Sequence, residues 1–272
     1  MNHLPRLPRR RLLAAALGAA GLAVTAGCTG PPENHDPPEP SASPDPAMLR
    51  DDIVDGVTVD ERGFATFPVP SGDATRRIVG AAAVFRNGSD QPIRVHVRFQ
   101  FVDGAGRGWR SEDLNDWQAI VNAGWAYLPA GQAVELGGIL QVGADEAGRV
   151  ARIVLDVTGE GIPPPRSVLL PARIDALRHR PTPKDEWDYV SFDVDNPTAG
   201  FEEPNYGLVY RSTDGRLIGG WFVDRAHWWD IESALPEGET DEYPRGISRH
   251  TLPTWLPPDI QPSGVTMYVW PR

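Results

Sequence analysis

Between Ile93 and Phe101, apolar Ile93, Val95, Val97, Phe99 and Phe101 alternate with Arg94, His96, Arg98 and Gln100. A period of two held over such a run predicts a half-buried β-strand. The chain enters it from Val84-Phe85 through Asn87-Gly88, a pair that favours a tight turn, and leaves it at Asp103-Gly104. The same order of signals returns between Val190 and Trp221. Val190 to Val194 ends at Asn196-Pro197, and Leu208-Val209-Tyr210 runs to Asp214-Gly215. Leu217 to Trp221 echoes Gly106 to Trp109, and Leu235-Pro236-Glu237-Gly238 echoes Leu128-Pro129-Ala130-Gly131. Val265 to Trp270 closes the second stretch as Ile153 to Val157 closes the first. The spacings agree: 103 − 87 = 16 from Asn87 to Asp103, and 214 − 196 = 18 from Asn196 to Asp214. Landmarks in one order and at similar spacing predict a tandem duplication.

Val57 to Val59, Ala65 to Val69, Ala133 to Val142 and Val150 to Val157 add further short strands, whereas Asp113 to Val121 suggests a helical turn or two. Short strands separated by Gly/Pro turns point to sandwiches. The expected fold is therefore all-β, with two antiparallel immunoglobulin-like β-sandwich domains in tandem, 51–160 and 172–272. Residues 161–171 join them, and Pro163-Pro164-Pro165 cannot enter a sheet ladder.

The amino terminus changes the picture from fold to address. Residues 1–27 carry a basic start, an apolar run from Leu12 to Val24 and small residues before Cys28. That is a secretory signal, too short for a stable membrane span. Thr25-Ala26-Gly27-Cys28 resembles the lipobox of bacterial lipoproteins, which implies a diacylglyceryl group on Cys28. Two acyl chains are enough for stable anchoring. A plain signal peptide with an incidental cysteine, or an uncleaved anchor, is the alternative. Arg9-Arg10 within Pro8 to Leu13 resembles a twin-arginine export signal. Residues 28–50 are proline-dominated, with no apolar period, and predict a disordered stalk. At about 3 Å per residue it would reach on the order of 60 Å.

Cys28 is the only cysteine, so no disulfide forms within the chain. Residues 1–27 hold four arginines and no acid; their removal leaves 26 − 4 = 22 basic residues against 37 acidic ones, a net charge of −15. Such a surface excludes nucleic acid as a natural partner.

The pattern of a strand ending in Asn, a second closing at Asp-Gly, and Leu-Pro-x-Gly before an apolar strand resembles the FxLYD-like family. Those are small immunoglobulin-like sandwiches of bacterial envelope proteins. The resemblance covers Ile78–Val157 and, more loosely, Val190–Trp270, with Val97 to Phe101 and Tyr206 to Tyr210 approximating the aromatic signature strand. It implies adhesion, interaction or spacer roles and no catalytic residues.

For chemistry, the six histidines do not fall at metal-ligand spacing, and no Gly-x-Ser-x-Gly elbow is present. No cofactor is expected. Asp193, Asp195 and Glu202 could supply oxygens to calcium, although turn flanks explain them equally, and no metal is the primary expectation. Nine tryptophans stand out. Trp221, His227, Trp228 and Trp229 lie in one stretch without regular period, and Trp117 lies between Trp109 and Trp125 in the corresponding stretch of the first half. Indoles suit sugar rings or protein partners, and burial under folded-over loops is the competing explanation. The resulting expectation is a non-enzymatic, lipid-anchored protein on the extracytoplasmic face, binding an envelope protein or glycan or serving as scaffold. The rival is an envelope carbohydrate-active hydrolase using carboxylates near Trp228.

Overall fold

The computed structural model describes residues 49–69, 73–109, 123–161, 168–179, 188–202, 204–223 and 242–271. All of them belong to one compact unit, Ser43–Arg272. The first half contains β1 (Asp52–Ile53), β2 (Val57–Pro68), β3 (Arg76–Asn87), β4 (Ile93–Asp103), β5 (Ala123–Leu128), β6 (Ala133–Gly143) and β7 (Val150–Gly161). One turn of helix, α1 (Ala144–Ala147), joins β6 to β7. The second half contains β8 (Leu170–Arg178), β9 (Asp188–Asn196), β10 (Pro204–Arg211), β11 (Leu217–Val223), β12 (Gly246–Thr254) and β13 (Val265–Pro271). The described chain is all-β in character, as its alternation predicts.

The first half makes two sheets, ordered β1-β7-β4-β5 and β2-β3-β6. Val95, Val97, Phe99 and Phe101 of β4 face Val79, Ala81, Ala83 and Phe85 of β3 in one core between them. The second half forms a single ladder, β11-β10-β13-β8-β9-β12. Within it β8 changes partner: Leu170 and Pro171 pair with β13, and Ala172 to Arg178 pair with β9 across a bulge at Ile174/Ala176. Divided at that point, the ladder reads β8-β13-β10-β11 and β8-β9-β12, the strand order of the first half. The halves differ where they begin, because β1 runs parallel to β7 while the start of β8 is antiparallel to β13.

Two buried asparagines show how closely the halves correspond. Asn87 Nδ2 donates to the carbonyls of Gln91 (2.7 Å) and Leu128 (3.0 Å), and its Oδ1 accepts from the N–H (2.9 Å) and hydroxyl (2.7 Å) of Ser89. Asn196 Nδ2 donates to Ala199 (3.3 Å) and Tyr243 (3.1 Å), and its Oδ1 accepts from the N–H (3.0 Å) and hydroxyl (2.7 Å) of Thr198. Each side chain pins its own turn to a carbonyl that immediately precedes a proline. The partner of Leu128-Pro129-Ala130-Gly131 in this role is therefore Tyr243-Pro244-Arg245-Gly246, with Gly131 and Gly246 both at positive φ. Leu235 to Gly238 lies outside the described residues. The hairpin landmark shifts too. Gly106 (φ 83°) matches Gly215 (φ 84°), so Asp103 corresponds to Ser212 rather than to Asp214. The spacings then become equal, 103 − 87 = 16 and 212 − 196 = 16.

β3 does not alternate, because it is buried on both faces, as its run Ile78 to Phe85 requires. Its second face meets β11 through residues almost without side chains. A Cβ on Gly80 would sit 2.9 Å from Gly219 Cα, and one on Gly137 only 2.2 Å from Gly220 Cα. Glycine is what allows two backbones to come this close. The apolar cores interpenetrate as well: Phe222 and Trp270 pack into the first-half core, and Val69, Ile78 and Ile139 into the second. Trp270 Nε1 also donates to the Trp125 carbonyl at 3.0 Å. At the edge of this seam Arg211 donates to Glu135 (2.7 Å) and Glu61 (2.9 Å). The hydrogen bonds to Glu61, joined by Glu135, raise the Arg211 pKa against the opposing effect of burial.

Candidate functional site

A cleft of about 520 Å³ opens where β3 begins and β4 and β6 end. Each wall follows from local chain geometry. Arg76 is the first residue of β3 and pairs in register with Gly143, the last of β6. The chain turns into α1 there, with the Gly143 N–H donating to Glu146 at 3.1 Å and Glu146 facing Arg149 at 3.6 Å. Opposite, buried Asp103 organises the β4 hairpin: its Oδ1 accepts from the N–H groups of Ala105 and Arg107, both at 2.9 Å. Arg107 Nε returns to the other oxygen at 3.1 Å. The Arg107 N–H is the chief reason that the Asp103 carboxyl stays below the usual carboxylate range. Trp109 follows, its N–H donating to the Phe101 carbonyl at 3.0 Å, and its ring completes the wall with Gln141.

The cleft thus brings together three guanidiniums and two carboxylates. Arg107 and Arg149 each hold one acid, and the exposed Arg76 helps to lower the pKa of nearby Asp73, for which the Thr75 hydroxyl is the chief cause. The local balance is positive on a chain whose net charge is negative. Leu49, where the described chain begins, packs beside it: a Cβ on Gly108 would lie 2.9 Å from Leu49 Cδ1.

A second hollow, of about 390 Å³, lies against Pro68, Val69, Trp255 and Leu256. Asp188 borders it, buried, accepting the Leu256 N–H at 2.9 Å and standing 3.7 Å from His179 Nδ1. Asp259 at its rim holds φ at +63°. Behind this wall the Tyr210 hydroxyl donates to the Trp255 carbonyl at 2.5 Å, and burial pushes the phenol pKa far up. A serine and a histidine also meet, Ser248 Oγ to His250 Nε2 at 2.7 Å. His250 is buried and stacked at 4.0 Å on Tyr243, so this pair belongs to the core.

The residues expected from sequence separate clearly. Trp221 lies inside β11 with its ring at 0% exposure, so it is a core residue and offers no face to a ligand. The reason is that β11 is a regular strand pressed between its own sheet and the first half. Trp255 and Trp270 are buried as well, whereas Trp125 sits half-buried on β5 beneath the Arg94 guanidinium, 4.5 Å from its ring. Trp117, His227, Trp228 and Trp229 lie outside the described residues, as do Cys28, Arg9 and Arg10, the segment Asp113 to Val121 and the carboxylates flanking Trp228. Asp193 is committed elsewhere. It stands in register between Arg173 of β8 and Arg249 of β12 and is bonded to both, to Arg249 at 3.0 Å. Arg249, chiefly, holds its pKa down. No group of three or more His, Cys, Asp or Glu suited to a metal ion occurs among the described residues, and, with Asp193 so paired, the calcium reading of Asp193, Asp195 and Glu202 loses its first ligand.

Sequence reasoning missed Arg76, Arg107 and Arg149, which come from three separate segments with no shared period. The one legible signal was Gly-Arg at 106–107, repeated at 215–216. No known family's sequence model matches the chain, and no curated protein matches it.

Proposed function

We propose that the protein is a lipid-anchored envelope protein, held on the extracytoplasmic face by Cys28, that binds an envelope glycan or protein without chemically altering it. In this reading the halves are a duplicated immunoglobulin-like module of the FxLYD-like kind, 51–160 and 172–272, fused through β11. The common strand order and the twin asparagine clamps support that relation. A proline stalk carries the body away from the bilayer, and no helix among the described residues is long and apolar enough to cross a membrane.

The observation that carries the binding role is the arginine cleft beside Leu49. Its described wall offers guanidiniums and an indole, groups that hold a polar ligand. Cell fractionation and mass measurement of the mature amino-terminal peptide test the anchor. Wild type is expected in the membrane fraction with a diacylated Cys28, and Cys28→Ala in the soluble extracytoplasmic fraction. Membrane-bound, processed Cys28→Ala protein would refute the lipid anchor.

A further inference from the structure

We propose that the arginine cleft selects an acidic sugar: a saccharide ring bearing a carboxylate or a phosphate. This deepens, and rests on, the binding role assigned to the cleft above. Arg76 is exposed on the rim, and Arg107 and Arg149 each spend part of a guanidinium on Asp103 and Glu146. A guanidinium has five donors, so Arg107 and Arg149 retain N–H groups for a ligand, and the exposed Arg76, whose charge is felt by Asp73 without a close ion pair, keeps its donors for one as well. An oxyanion accepts two parallel bonds from such a fork, the strongest polar contact available to a surface cleft. The volume, about 520 Å³, accommodates one or two sugar rings. Trp109 gives that ring an indole edge or face. On a mature chain at −15, an anion is repelled everywhere except at a locally positive site. That repulsion discourages adventitious binding of simple anions and makes ring contacts necessary.

The test is titration calorimetry of the full-length chain in detergent with glucuronate, glucose 6-phosphate and glucose at matched ionic strength. Either acidic sugar, or both, is expected to bind, more weakly as salt is raised, and the preferred one identifies the anion. Arg76→Gln, a change at an exposed position, is expected to weaken that binding about tenfold, and Arg76→Lys by less. Glucose binding as tightly as the acidic sugars, or unchanged affinity in folded Arg76→Gln, would overturn the proposal. Binding of none of the three would also overturn it. If whole envelope material is still retained by the protein in that last case, the selectivity for acidic sugars fails while the binding role stands; if it is not, both fail.

Discussion

Replacing Asn87 by alanine removes four hydrogen bonds from a fully buried side chain. Ser89 Oγ keeps the Gln91 carbonyl at 2.8 Å, and Gln91 itself is exposed, so water relieves part of the loss. The buried Leu128 carbonyl and the part-buried Ser89 N–H are the groups left stranded. At about 1–3 kcal/mol for the buried group and about 1 kcal/mol for the part-buried one, the substitution should cost about 2–4 kcal/mol. In a body of this size that is a fall in Tm of about 4–16 °C. Asn196→Ala should cost a similar amount, because its bonds repeat those of Asn87 one for one. Asn87→Asp sharpens the argument. It keeps the shape but points a carboxylate oxygen, in place of an amide donor, at two carbonyls. This aspartate would have a folded pKa above its unfolded one, so Asn87→Asp should be unstable at neutral pH and recover as the pH falls toward 4. Urea unfolding followed by far-ultraviolet circular dichroism measures all three variants. A loss below about 1 kcal/mol for Asn87→Ala, or an Asn87→Asp protein as stable as wild type at pH 7, would refute the clamp.

Three other outcomes follow from the seam and the surface charges. Gly137→Ala drives a methyl to 2.2 Å from Gly220 Cα, backbone against backbone, and should destabilise by at least the roughly 1–3 kcal/mol of ordinary overpacking, read as a lower urea midpoint. Arg211→Ala leaves the half-buried Glu135 without its partner and should cost about 1–3 kcal/mol, much of it recovered in the double variant Arg211→Ala/Glu135→Gln; double-mutant unfolding checks both. For pH, Ser212 and then Arg216 pull the Asp214 carboxyl down to about 2, and Asp103 and Asp193 are also lowered. Depressed folded pKa values mean stability that is present above the ordinary carboxylate range and drains away below it. Stability should be level from neutral pH to about 4 and fall between 4 and 2, and a decline beginning near pH 6 would contradict this.

What could be read in the sequence was what has a period or a special residue. β4 announced itself because one of its faces is polar. β3 could be placed only as the apolar stretch that leads through Val84-Phe85 into the Asn87 turn, and its cover on both sides stayed hidden, since such a strand carries no alternation to show which face meets what. The Asn landmarks were found as turns, but their burial was invisible. Asn-x-Ser and Asn-x-Thr look the same in a solvated turn as in a clamp. Asp214-Gly215 was matched to Asp103-Gly104 by composition, whereas positive φ at Gly106 and Gly215 fixes the true correspondence. Trp221 misled because tryptophan serves cores and ligand faces alike, and only the placement of β11 decides between them. The cleft was illegible for a plainer reason. Its arginines are separated by 107 − 76 = 31 and 149 − 107 = 42 residues, and only the closure of two sheets brings them to one wall.

The most direct test of the binding role is co-sedimentation of the detergent-solubilised full chain with insoluble envelope material, for wild type and for a folded Arg76→Gln/Arg107→Gln/Arg149→Gln variant. Wild type should pellet with the material at low salt and be released as salt rises, and the triple variant should remain in the supernatant. Equal pelleting of the two proteins, or wild type that never pellets, would contradict a binding function seated in this cleft.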